Sequence, residues 1–283
     1  MISRKGMSRA AGAAWRSGMV VLLIGIPHFV LAGDASEGAS AVAFLAIAAA
    51  LFVAYEYLNP APALIEFRDA PPYNRLRIAG LLIAVPFASV LLDDGQPHGT
   101  LCLLLHAVGA WAAGALEGWP SPVGALAATL PADADPLLAQ RIMEAGAVVY
   151  LTSLLVVLCF LVLTCLRRWP GPQPFNVWVN MPQFHFGTGN DVVEKLRSCT
   201  QMNILLGLVL PYVLPLVLSL GLLPTFGQGA GGPQPMTLVW MVTIWAFLPA
   251  FLLMRGIALT RLVRMLAAQR ARGHAVLAAL QGA

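Results

Sequence analysis

Long apolar runs separated by short polar breaks dominate this chain. Seven runs can be marked, over residues 17–33, 41–59, 78–92, 100–116, 145–166, 203–223 and 237–255. Each approaches the roughly 20 residues that a helix needs to cross a hydrocarbon layer of ~30 Å while satisfying its own backbone. The pattern therefore predicts an all-α, polytopic transmembrane bundle, with one transmembrane domain over residues 1–283. The first run follows Arg4, Lys5, Arg9 and Arg16, and Val30-Leu31-Ala32 resembles a signal-peptide cleavage site. We read it as a first, short, uncleaved span.

The charges decide how many runs cross. If all seven did, lysine and arginine would divide almost evenly between the two sides, against the usual excess on the cytoplasmic side. If residues 93–144 stay wholly on one side, sixteen of the seventeen basic residues fall together, in the N-terminal tail, 60–77, 167–202 and the C-terminal tail. The other side then keeps only Arg141, with Asp34, Glu37, Asp93, Asp94, Glu117, Asp133, Asp135 and Glu144. This asymmetry predicts six full spans with both termini cytoplasmic, plus a re-entrant or interfacial helix at 100–116; seven spans is the alternative. The 100–116 run fits the odd role, diluted by Gly109 and Gly114 and followed by Trp119-Pro120-Ser121-Pro122.

Composition agrees with this reading. Apolar residues make up 59% of the 283 and charged residues 11%, too few to cover a water-soluble fold. Arginine outnumbers lysine fifteen to two, which suits a GC-rich bacterial genome and places the protein in a bacterial inner membrane. The four cysteines have no paired spacing and read as small buried residues. Gly80, Ala84 and Ala88 share one helix face and permit close helix approach. Pro27, Pro86, Pro211, Pro215 and Pro249 lie inside spans, where neighbours can satisfy the carbonyls they free.

Candidate chemistry is sparse. No Asp, Lys or Arg sits near a midplane, and Glu56 lies one turn from the inner end of its span, within reach of the interface. That argues against a charge-coupled transporter. H-E-x-x-H, G-x-S-x-G and Walker patterns are absent from the sequence, so nothing marks an enzyme. His106 stands on a stripe with Cys102, Ala110 and Gly114, which leaves room for a flat macrocycle. With His28, and with His98 nearby, it is the candidate ligand for haem or a chlorophyll-type pigment. The plainer reading is a histidine hydrogen-bonded to a neighbouring helix. No metal site is expected.

Two inner loops, 60–77 and 167–202, carry too many aromatic and β-branched residues for disorder. Pro174-Phe175-Asn176-Val177-Trp178-Val179-Asn180 alternates like an extended segment. Asp191 and Glu194 form a D-x-x-E pattern that opens a helix. The loops are expected to form an ordered inner cap, either folded on the bundle or docking a partner through Phe67, Arg68, Tyr73, Phe175, Trp178, Asn180 and His185. A small-molecule site around Trp178, Asn180 and His185 is the third option. Residues 256–283 read as a basic amphipathic helix, either extending the last span or lying on the membrane, whose Arg261, Arg264, Arg270 and Arg272 would attract anionic lipid headgroups. Nucleic acid is not an expected partner, because no separate basic domain exists. The sequence thus favours a non-catalytic membrane subunit or assembly factor of a larger complex. A passive transporter or lipid-handling protein, and a pigment- or haem-binding subunit, are the alternatives.

Overall fold

In the computed structural model, residues 4–31, 38–60, 63–93, 95, 99–118, 120–129, 135–166, 169–170, 175–182, 191–219 and 234–281 are described. They form helices α1 (Arg4–Leu31), α2 (Ala39–Leu58), α3 (Tyr73–Leu91), α4 (Thr100–Leu116), α5 (Pro122–Ala127), α6 (Pro136–Leu166), α7 (Val177–Asn180), α8 (Asp191–Ser219) and α9 (Pro235–Gln281). Six of these, α1, α2, α3, α6, α8 and α9, are long and apolar enough to cross a membrane. Their outward faces carry large apolar side chains such as Phe44, Leu51, Leu158 and Leu208. Water would penalise so much exposed hydrocarbon, and lipid does not.

The core lies where α3, α6 and α9 meet, around Ala84, Val85, Val149, Val239, Phe247 and Met254. Gly80, Ala84 and Ala88 all face inward, as the sequence predicts, and a Cβ at Gly80 would run into Val156 and Phe247. A second close crossing joins α8 to α9, where a Cβ on Gly207 would lie 2.6 Å from Leu253 Cγ and 2.9 Å from the Pro249 carbonyl. The proline expectation is met in α8. Pro215 has no N–H for the carbonyl of Pro211, and Trp245 Nε1 donates to that carbonyl at 3.0 Å instead. Among the described helices α2 packs against α1 alone.

The place of α4 follows from its neighbours. Antiparallel α3 and α6 set Tyr73 against Phe160 and Gly80 against Val156. At their other end, Gly109, near the middle of α4, sits against Leu91 and Glu144. Ser121 caps α5, accepting from the Val123 N–H at 3.2 Å, and Leu126 of α5 packs on Gly146. Both helices therefore belong to the far end of the bundle, level with the last turn of α3. Six helices long enough to span, with the shorter apolar helix α4 at that end, agree with the charge count.

Two expectations need correction. Helix α6 starts at Pro136, nine residues before its apolar run, because Asp135 accepts from the Leu137 N–H at 3.0 Å and caps it. Arg141 and Glu144, read as loop residues, are therefore helical, and Glu144 is buried. Residues 177–180 make a helical turn instead of an extended segment. Asn176 starts it by accepting from the Val179 N–H at 3.4 Å, turn chemistry that overrides the alternating pattern. Of the two placements open to the C-terminal stretch, the extended span is the one observed: α9 is one helix of 47 residues, about 70 Å at 1.5 Å per residue. Its basic half continues the last span.

Candidate functional site

A cleft of about 1210 Å³ opens at the basic end of the bundle, between α1, α2, α3, α9 and the loop from Leu64 to Pro71. The loop that walls it is built around Glu56. That carboxylate is buried and accepts from the backbone N–H groups of Ala63, Leu64 and Ile65 at 3.0 to 3.2 Å. The bonds compensate a charge that α2 would otherwise bury without partners. Arg68 ties the loop to the end of α2, donating through Nη1 to the Glu56 and Asn59 carbonyls at 2.7 and 2.6 Å. Asn74 Nδ2 donates to the Glu66 carbonyl at 2.8 Å. The Glu66 carboxylate then reaches α9, accepting from Arg255 Nε at 2.6 Å and Nη2 at 2.8 Å, a bidentate pair. Glu56, expected to reach toward the interface, instead folds its own loop.

Behind this loop lies the inner cap. Phe67 adopts φ 51°, an uncommon conformation for a residue with a side chain, and its N–H donates to the Asn180 carbonyl at 2.7 Å. Asn180 Oδ1 accepts from the Asp69 N–H at 3.0 Å. The Phe67 ring centres 4.6 Å from Tyr73, 5.5 Å from Trp169 and 6.5 Å from Phe175. Trp169 Nε1 donates to the Ala70 carbonyl, and Arg261 Nε donates to the Trp169 carbonyl, both at 3.1 Å. The cap thus folds onto the bundle. Phe67, Tyr73 and Asn180, candidates for docking a partner, are fully occupied by contacts within the chain. Phe175 is half-buried beside them, Arg68 is tied to α2, Trp178 lies in α7, and His185 lies outside the described residues.

The cleft joins two kinds of surface. Met19 and Val20 of α1, Phe52 of α2, Ile78 and Leu82 of α3 and Phe251 of α9 give it hydrocarbon walls. Its rim carries guanidinium groups. Arg16 stands 4.4 Å from the Tyr57 ring centre and donates to the Gly12 carbonyl at 2.7 Å. Arg77 stands 4.2 Å from the Phe251 ring centre and 5.4 Å from that of Tyr73. Its Nε is buried without a hydrogen-bond partner. Among the described residues neither Arg16 nor Arg77 meets an acid. Arg75 lines the same rim, exposed.

The histidine candidates lie at the opposite end. His106 Nδ1 lies 3.3 Å from Glu144 Oε2, and Gln140 Nε2 donates to Glu144 Oε1 at 2.8 Å. This is the plainer reading of His106, a bond to a neighbouring helix. Ala110 and Gly114 of its small-residue stripe are exposed, while Gly109 and Ala112 make the packing face. His28 is half-buried with its ring edge toward Phe29. Helices α1 and α4 do not touch, so the fold does not pair the two histidines. Among the described residues no group of three His, Cys, Asp or Glu could hold a metal. Of the distal arginines, Arg264, Arg270 and Arg272 are exposed, and Arg272 lies 17 residues past Arg255, about 25 Å along the helix.

Compared with known protein families, curated proteins and solved structures, the chain matches none.

Proposed function

We propose that this chain is a lipid-handling membrane protein whose cleft takes up one amphipathic lipid. The observation that carries the reading is the cleft itself, hydrocarbon-walled between α1, α2, α3 and α9, with Arg16 and Arg77 at its rim meeting no acid among the described residues. Acyl chains would lie among Met19, Val20, Phe52 and Leu82, and the headgroup would sit among the guanidinium groups. In this reading the basic end faces the cytoplasm of a bacterial inner membrane, the side favoured by lysine and arginine. Enzyme chemistry is not part of the reading, and neither is coupled transport.

The test is lipid retention. Protein purified gently in detergent and examined by native mass spectrometry should carry lipid in stoichiometric amount. Leu82→Trp, which fills the cleft from α3, should lose it while leaving the helical content unchanged. Equal lipid on both proteins would sink the reading.

A second reading keeps the chain as a non-catalytic subunit or assembly factor of a larger complex. It draws support from α9, where residues 267–273 are all exposed. A partner released by truncation after residue 266 would favour it.

A further inference from the structure

We propose that the cleft selects lipids whose headgroup is a phosphomonoester, an inference that rests on the lipid-handling reading above. The acyl chains cannot do the selecting. A lipid tail leaves one hydrocarbon environment for another when it enters the cleft, so apolar contact supplies little net preference. Discrimination therefore falls to the rim.

Five arginines and two acids line the cleft. Arg255 is taken by Glu66, and Arg68 pairs with Asp69 at 3.3 Å. Arg16, Arg75 and Arg77 are left facing it with no acid of their own among the described residues. A zwitterionic headgroup would bring its own cation into this positive field, and a phosphodiester would bring a single negative charge. A phosphomonoester carries about −1.5 to −2 at neutral pH and offers three free oxygens, which several guanidinium forks can share.

The two half-buried guanidiniums are also held ready. Arg16 rests on Tyr57 and Arg77 on Phe251, so little side-chain freedom remains to be lost on binding. The buried Nε of Arg77 is an unmet donor, and native structures rarely leave one.

The experiment uses the full chain in detergent, offered dioleoyl phosphatidic acid, phosphatidylglycerol or phosphatidylcholine, with occupancy read by native mass spectrometry. Phosphatidic acid should bind about tenfold more tightly than phosphatidylglycerol, the size of one further charge-assisted contact. Its lead should shrink at pH 5, where the monoester loses its second charge. Arg16→Gln and Arg77→Gln should each remove the preference, while Arg264→Gln, outside the cleft, keeps it. Arg77→Lys guards against misfolding, since it retains the charge and loses the fork; the preference should fall there too.

Equal binding of phosphatidic acid and phosphatidylglycerol overturns the monoester assignment. If Leu82→Trp still lowers both, lipid handling itself survives. Lipid binding insensitive to Leu82→Trp removes both readings. Displacement of phosphatidic acid by millimolar inorganic phosphate would make free phosphate the ligand and also overturn the proposal.

Discussion

Glu56 offers the sharpest test of how the cleft is built. Replacing it with alanine removes the acceptor of three backbone N–H groups, those of Ala63, Leu64 and Ile65. A hydrogen bond to a charged group contributes about 1.5–3 kcal/mol. Ala63 and Leu64 are exposed and Ile65 is half-buried, so water can take over part of the loss. Counting about 1 kcal/mol for each bond gives about 3 kcal/mol in all. That figure applies to local opening of the loop, because the remaining anchors lie elsewhere. Phe67 and Asp69 are held by Asn180, and Glu66 by Arg255.

Hydrogen exchange of the intact protein reads this directly. At about 1.4 kcal/mol per tenfold, the amides of residues 63–65 should exchange roughly a hundredfold faster in Glu56→Ala. Glu56→Gln keeps one acceptor oxygen but loses the charge and turns an NH₂ toward donors, so a smaller gain of about tenfold is expected. Core amides at Ala84, Val149 and Phe247 should not change. Wild-type exchange at 63–65 in Glu56→Ala would refute the reasoning and leave the loop to its other anchors, Asn180, Arg255 and the Arg68 bonds to α2.

Three further outcomes follow from the packing. Gly207→Ala places a methyl 2.9 Å from the Pro249 carbonyl and should lower stability by about 1–3 kcal/mol, read by unfolding in mixed micelles; an unchanged midpoint would refute the close α8–α9 crossing. Single cysteines at Arg9, Ala128 and Arg264 in a cysteine-free background should label with 9 and 264 on one side and 128 on the other. Labelling of 9 and 264 from opposite sides would mean an odd number of crossings. His106→Leu leaves buried Glu144 with Gln140 alone and should cost about 1–3 kcal/mol, with His106→Gln recovering part of it. A tetrapyrrole absorption band that vanishes in His106→Leu would instead assign that histidine to a pigment.

Periodic signals carried the architecture, and single-residue chemistry carried the errors. A run of about 20 apolar residues admits one solution in lipid, so the long helices could be counted from hydropathy. The clustering of basic residues set the 100–116 run apart from the six helices long and apolar enough to span. Glycine and alanine four apart on α3 announced a close approach for the same reason, since spacing is a local property. The ends of helices depended on caps instead. Asp135 and Asn176 each redirected a few residues against the pattern around them. Those bonds compete with apolar periodicity on equal terms only where the periodicity is weak, which is at boundaries and in loops.

The cleft was not legible for a different reason: its parts come from four helices and a loop that no local pattern links. Glu56 is the nearest thing to a signal. A carboxylate one turn before the end of an apolar span, followed by Pro60-Ala61-Pro62, cannot stay buried without donors, and the first backbone N–H groups that return toward it are those after the second proline. Once it captures them, the loop must run back across the end of the bundle, and Glu66 arrives where Arg255 can meet it. That pairing neutralises the arginine on α9 but not those on α1 and α3. The same fold that satisfies two acids therefore leaves Arg16 and Arg77, above an apolar floor, with no acid among the described residues. The site we propose for an anionic amphiphile therefore rests on how the loop closes and not on any motif.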